Sequence, residues 1–185
     1  MSGHSHAKTV KRVKEASDKK RGQAFSKIAR LISVAVKEKG PNPETNPRLR
    51  IAMGTARSVN MPKENIDRAI KKGTGEDVLA ENLEEVIFEA YGPGGVAIII
   101  EGITDNKNRT LGEVKQILSQ HGAKMVGEGG VRWMFERNSK EPGSLEWEPK
   151  QTIEISAQDK EAYKKLSEIL NENEAIQKVY NNLKE

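Results

Sequence analysis

The chain of 185 residues holds 31 Lys and Arg against 27 Asp and Glu, a net charge of +4, with 35% apolar and only 4% aromatic residues. That length suffices for one or two domains with aliphatic cores. The absence of cysteine excludes disulfides, thiolate metal sites and cysteine nucleophiles. No run approaches the ~18 apolar residues of a membrane span, and Met1 to Lys14 lacks the apolar stretch of a secretory leader.

Residues 1–75 read as helices with short connections. Ala7 to Asp18 predicts a helix of thin apolar content that ends before Arg21-Gly22. Phe25, Ile28, Ala29, Ile32, Ala35 and Val36 recur at the three-and-four spacing of a second, and Gly40-Pro41-Asn42-Pro43 cannot continue it. Asn46 as N-cap and Pro47 in the first turn begin another, with Leu49, Ala52, Met53 and Ala56 on one stripe. Asn60-Met61-Pro62 opens the next, with Ile66, Ala69 and Ile70 inward and Gly73 as its stop. Residues 76–83 are acidic and unpatterned and are the expected linker to a second domain, 84–185.

In that second domain the periodicity changes. Val86 to Tyr91 and Val96 to Ile100 predict two strands around Gly92-Pro93-Gly94-Gly95, the second apolar throughout and therefore central. Thr110 to Gln120 predicts a helix stopped by Gly122, and Val131 to Phe135 a third strand. Asn138 to Ser144 reads as a loop, Thr152 to Ile155 as a strand, Gln158 to Leu170 as a helix and Ile176 to Tyr180 as the last strand. The expected architecture is an all-α helical bundle followed by an α+β, ferredoxin-like domain, its antiparallel-rich sheet covered by two helices.

The charge is divided between these halves. Residues 1–75 carry 18 basic and 6 acidic side chains, net +12, and residues 76–185 carry 13 and 21, net −8. Such a basic half points to a polyanionic partner, since counterion release along phosphates supplies affinity to clustered cations. The predicted nucleic-acid contacts are Lys8, Lys11, Arg12, Lys19, Lys20, Arg21 and Lys27 along the first segment, Arg48, Arg50 and Arg57 beyond it, and Lys63, Arg68, Lys71 and Lys72 in the last helix. Phe25 is the only aromatic before Phe88 and its spacing makes it core, which favours a duplex or folded-RNA backbone over base stacking.

Tyr91 and Pro93 flank a glycine-rich stretch that joins two strands rather than opening a helix, so a tight hairpin is expected there. Asp105 or Asn108 caps the helix that follows, and Asn106, Lys107 and Arg109 exceed what a cap requires. Tyr91, Pro93, Asn106, Lys107 and Arg109 are therefore the expected partner contacts. His4, His6 and His121 lack metal-ligand spacing, and Ser26, Ser33 and Ser58 have no placed base. The residues point to no enzyme, no metal and no cofactor.

Several stretches, in this order, resemble the YebC family, which includes the mitochondrial translational activator of cytochrome oxidase. They are Gly3-His4-Ser5, Arg21-Gly22 with Phe25 and Lys27, Asn46-Pro47-Arg48-Leu49-Arg50, and Asn60-Met61-Pro62-Lys63 with Asn65-Ile66 and Arg68 to Gly75. Tyr91 to Val96, Thr104-Asp105-Asn106 with Asn108-Arg109-Thr110, His121-Gly122, Trp133-Met134-Phe135 and Val179-Tyr180-Asn181-Asn182 complete the set. The resemblance implies a helical N-terminal domain followed by α/β domains, without enzymatic activity, in proteins described as DNA-binding transcriptional regulators or as factors acting on translation at the ribosome. The chain departs from the family at His6-Ala7, where Lys-Trp is usual. It also has only Glu136 to Glu146 where the family carries a further α/β domain, so it looks like a short member lacking the third domain.

The expected function is that of a non-enzymatic gene-expression factor, cytoplasmic, docking on folded RNA and most specifically the ribosome through its basic helices. The alternatives are a DNA-binding transcriptional regulator using the same helices, and a protein-interaction module without nucleic acid. Neither a membrane nor a small-molecule substrate is expected as a partner.

Overall fold

A computed structural model describes residues 3–76 and 82–184, with side chains at 17–76, 82–139 and 142–184. The first two predicted helices are one, α1 (Gly3–Lys39). Gly22 does not break it: the space around its Cα is open, and a lone helical glycine costs only ~1 kcal/mol relative to alanine. At about 1.5 Å per residue its 37 residues extend for roughly 55 Å.

Ile28, Ile32, Ala35 and Val36 of α1 form a buried cluster with Leu49, Ala52 and Ala56 of α2 (Pro47–Ser58) and with Met61, Ile66 and Ala69 at α3 (Lys63–Thr74). Asn46 caps α2 as expected, its side-chain oxygen accepting from the Leu49 N–H at 3.0 Å. Gly73 is not the stop of α3. The stop is Gly75, left-handed at φ 77°, while Gly73 lies inside the helix where α3 presses on α1. A Cβ at Gly73 would stand 2.5 Å from the Ser33 carbonyl oxygen and 2.7 Å from Val36 Cβ. Gly73→Ala is therefore expected to cost ~1–3 kcal/mol through overpacking, read as a lowered melting temperature. Gly54→Ala in α2, where a Cβ meets open space, is expected to hold or raise it.

The second half is built on a four-stranded antiparallel sheet ordered β3-β1-β2-β6, from β1 (Glu84–Tyr91), β2 (Ala97–Thr104), β3 (Lys124–Val126) and β6 (Ile176–Asn181). The helical region followed by an α+β region with an antiparallel sheet is the predicted fold class. Strand β2 is central, and both its faces are covered. Val86, Phe88, Ala90, Ile98 and Ile100 point to α4 (Lys107–Gln120) and α5 (Ala157–Glu172), where Val114, Leu118, Leu166 and Leu170 complete the core. Ala97 and Ile99 point the other way, onto Val131 and Phe135.

That second cover differs from expectation. Val131 to Phe135 is not a strand. Arg132–Met134 is a 3-10 turn, and the sheet's third strand is the three-residue β3. Asn138 to Ser144 is no simple loop either: it lies across the hairpin of β4 (Phe135–Glu141) and β5 (Ser144–Pro149). Thr152 to Ile155 contributes only an isolated bridge, Ile153 to Leu183.

Most of the expected linker, residues 77–81, lies outside the described residues. Beyond it Leu83 is buried with Val34 and Ile103, so α1 leans on the end of β2. Polar contacts extend this seam. Arg30 Nη1 donates to the Ile103 carbonyl at 3.2 Å, and Lys37 Nζ donates to Asn82 Oδ1 at 2.5 Å. The tip of the β4–β5 hairpin reaches the same side: a Cβ at Gly143, φ 93°, would stand 2.7 Å from the backbone of Pro47 and Arg48. Among the described residues no helix is long and apolar enough to cross a membrane.

Candidate nucleic-acid interface

The fourteen predicted cations divide by their surroundings. The side chains of Lys8, Lys11 and Arg12 lie outside the described residues. Arg21 pairs with Asp18 at 3.4 Å. Lys27 is half-buried and donates to the Asn171 carbonyl of α5 at 2.5 Å, and burial lowers its pKa. Arg48 is held between Glu38, at 3.1 Å, and Glu85; burial works against its charge, but the two carboxylates outweigh it and its pKa is raised. Arg48 thus fastens α2 to α1 and to β1, and Lys27 fastens α1 to α5. Lys72 is also engaged.

Seven remain: Lys19 and Lys20 on α1, Arg50 and Arg57 on α2, and Lys63, Arg68 and Lys71 at α3. All are exposed, and none forms an ion pair with a described residue. Arg50 and Arg57 are two turns apart on one face, and Arg68 and Lys71 share another at i, i+3. Arg68 also borders a groove of about 490 Å³ between α1 and α3, walled by Gly22, Phe25, Ser26, Ala29, Arg30, Ser33, Met61, Asn65, Ala69, Lys72 and Leu83. Lys72 is among the predicted contacts, and Phe25, Ala29 and Ala69 among the predicted apolar stripes; no local sequence signal brings these residues to one groove.

At the edge of this groove the structure brings in part of the second predicted contact set. Asp105 Oδ1 stands 3.9 Å from Arg30 and 2.5 Å from Arg109. Burial pushes the Asp105 carboxyl up, but a backbone N–H, Arg109 and Arg30 hold it below its ordinary value. The cap of α4 is Asn106 rather than Asp105 or Asn108, its side-chain oxygen accepting from Arg109 N–H at 3.0 Å. Lys107 is exposed beside it.

Tyr91 and Pro93 lie elsewhere, at the opposite end of β2, about 23 Å away at ~3.3 Å per residue. The turn between β1 and β2 is the tight hairpin expected, and it packs inward: a Cβ at Gly94 would stand 2.9 Å from Ile155 Cγ2 and 3.2 Å from Asp159 Cβ. The Tyr91 hydroxyl donates to the Gly130 carbonyl at 3.3 Å.

A residue that sequence reasoning missed organises this end. Glu89 in β1 is 2% exposed and accepts from the N–H groups of Gly129 (2.8 Å), Val131 (2.9 Å) and Arg132 (2.8 Å), with Arg132 Nη2 at 3.0 Å. Burial pushes its carboxyl up, but the three N–H donors and Arg132 outweigh this and hold it below the usual range. The signal was an acid amid the apolar residues of a central strand.

A basic helical unit seamed to an acidic α+β unit is the class of protein these features define. Residues 5–76 match the model of the TACO1/YebC protein N-terminal domain, and residues 83–141 that of the TACO1/YebC second and third domain. The chain belongs to the TACO1/YebC family. It is 38% identical, over a 239-position alignment taking in 99% of this chain and 97% of the relative, to a "probable transcriptional regulatory protein" of Thermoanaerobacter pseudethanolicus. It is 53% identical over 137 residues to one of Syntrophus aciditrophicus, covering 74% of this chain and 55% of that one. The crystal structure of a conserved hypothetical protein from Aquifex aeolicus superposes with a TM-score of 0.81 at 34% identity, over 89% of this chain and 90% of that chain. In its shorter alignments the chain spans about half the length of the curated relatives it matches.

Proposed function

We propose that the protein is a non-enzymatic gene-expression factor that binds folded RNA, and most specifically the ribosome, through its helical half. The observation that carries this reading is the set of seven exposed cations, unpaired among the described residues, on three packed helices. Phosphate contact needs cations that are free and held on rigid elements. The relatives' regulatory names support nucleic acid as the partner class. Those same names favour a second reading, a DNA-binding transcriptional regulator.

Co-sedimentation with ribosomes separates the two. The protein is expected to pellet with ribosomes at physiological salt and to be released at high salt. Arg68→Glu with Lys71→Glu should flatten the slope of log affinity against log salt by roughly 0.7–0.9 for each phosphate that is no longer neutralised. No pelleting, together with sequence-specific DNA binding over excess competitor, would replace the ribosome reading with the DNA one.

A further inference from the structure

We infer that the groove between α1 and α3 seats one unpaired nucleotide of a bound RNA, its base against the exposed part of Phe25 and its phosphate on Arg68. The inference rests on the RNA reading above and deepens it. A groove of about 490 Å³ falls within the size range of ligand pockets. Among the described residues its walls include Arg30, Arg68 and Lys72 and no carboxylate; Arg30 faces Asp105 at the edge and Lys72 is engaged, which leaves Arg68 as the cation to meet an anion. Arg30 is fixed by its bond to the Ile103 carbonyl, whereas Arg68 is exposed and unpaired among the described residues.

The uncharged walls are divided in the way a nucleotide is. Phe25 is half-buried, leaving part of its surface at the groove beside Met61. Aromatic and apolar side chains accept the face of an unstacked base. Ser33 has its hydroxyl committed to the Ala29 and Ala69 carbonyls. The Asn65 amide and the Ser26 hydroxyl make no hydrogen bond with a described residue, so both remain available to a ligand. An asparagine amide matches the donor and acceptor of an adenine edge. A paired base is stacked on both faces and cannot enter, which limits the occupant to a bulged or looped residue. A free mononucleotide has the same groups; Lys71, exposed at i+3 from Arg68 on α3, favours one embedded in a longer phosphate chain.

The test compares two RNA hairpins differing by a single bulged adenosine, with binding of the full chain read by fluorescence anisotropy. In parallel, 2-aminopurine replaces the bulged base and reports its environment. The bulged hairpin is expected to bind about tenfold more tightly, with a change in 2-aminopurine emission. Ser26→Phe fills the groove without removing a cation, and Asn65→Ala removes the amide from the surface of α3. Each should abolish the preference while leaving the paired hairpin within about twofold, and circular dichroism shows which variants are folded. Equal affinity for the two hairpins with unchanged emission overturns the nucleotide seat and leaves the RNA reading standing. Failure of both hairpins to bind overturns both. Displacement of the bulged base by micromolar adenosine monophosphate overturns the RNA-embedded occupant in favour of a small-molecule site.

Discussion

Glu89→Ala is expected to lower the free energy of unfolding by about 3–5 kcal/mol, seen as an early midpoint in urea at neutral pH. The carboxylate stands on the face of β1 away from the helices, and both of its oxygens are committed. Truncation leaves the N–H groups of Gly129, Val131 and Arg132 without their acceptor and Arg132 without its 3.0 Å counter-charge. Glu89→Gln is expected to fall between, because its carbonyl still accepts while its amide turns donors toward donors. The pH dependence has a definite sign. The carboxyl is held below the range of a free glutamate, about 4.3. Its stabilisation is therefore complete above that value and fades as pH falls through the lower, folded one. The stability gap between the native protein and Glu89→Gln should be widest at pH 7 and narrow in acid. A gap constant down to pH 3 would show that the carboxylate charge is not what the loop needs.

Glu89 also explains where sequence reading stopped. Val131-Arg132-Trp133-Met134-Phe135 has a strand's composition, yet the buried carboxylate draws in two consecutive N–H groups, at 131 and 132, and coils the segment into a turn. No local pattern records a partner 42 residues away. Strand β3 was missed because three residues are too few for a period to emerge. The hairpin of β4 and β5 was missed because it is polar along most of its length, with Phe135 and Trp147 as its inward contacts. Two local patterns match the structure: Asn46-Pro47 opens α2, and the apolar run from Val96 to Ile100 leads into β2, covered on both faces.

Charge was legible as a total but not as an allocation. The split of +12 against −8 marked the helical half. It could not show that Arg48 is committed to Glu38 and Glu85, or Lys27 to the carbonyl of Asn171. Those partners are 10, 37 and 144 positions away, and only the folded chain places them. The groove at Asn65 was invisible for the same reason, since its walls come from separate helices.

Asn46→Ala is expected to cost about 2–4 kcal/mol, well beyond the ~1 kcal/mol of an ordinary N-cap. Asn46 is fully buried and its amide has two tasks. The oxygen accepts from Leu49 N–H, while Nδ2 donates to the carbonyls of Ala35 at 2.7 Å and Gly40 at 2.9 Å, tying the start of α2 to the end of α1. Asn46→Asp separates these tasks. It keeps the capping oxygen but sets a carboxylate against two carbonyls in a buried site, so its carboxyl should titrate well above the ~3.9 of a free aspartate. The unfolded chain ionises first, and the variant should lose stability as pH rises above about 4 and recover part of it in acid. That is the opposite sense to the acid loss expected from native Glu89. Urea midpoints of Asn46→Asp at pH 3.5 and 7, each referred to Asn46→Ala at the same pH, read out the difference. If Asn46→Asp matched the native protein at both pH values, the two carbonyl contacts would contribute nothing, and α2, which carries Arg50 and Arg57, would be held to α1 by its apolar stripe and the Arg48–Glu38 pair.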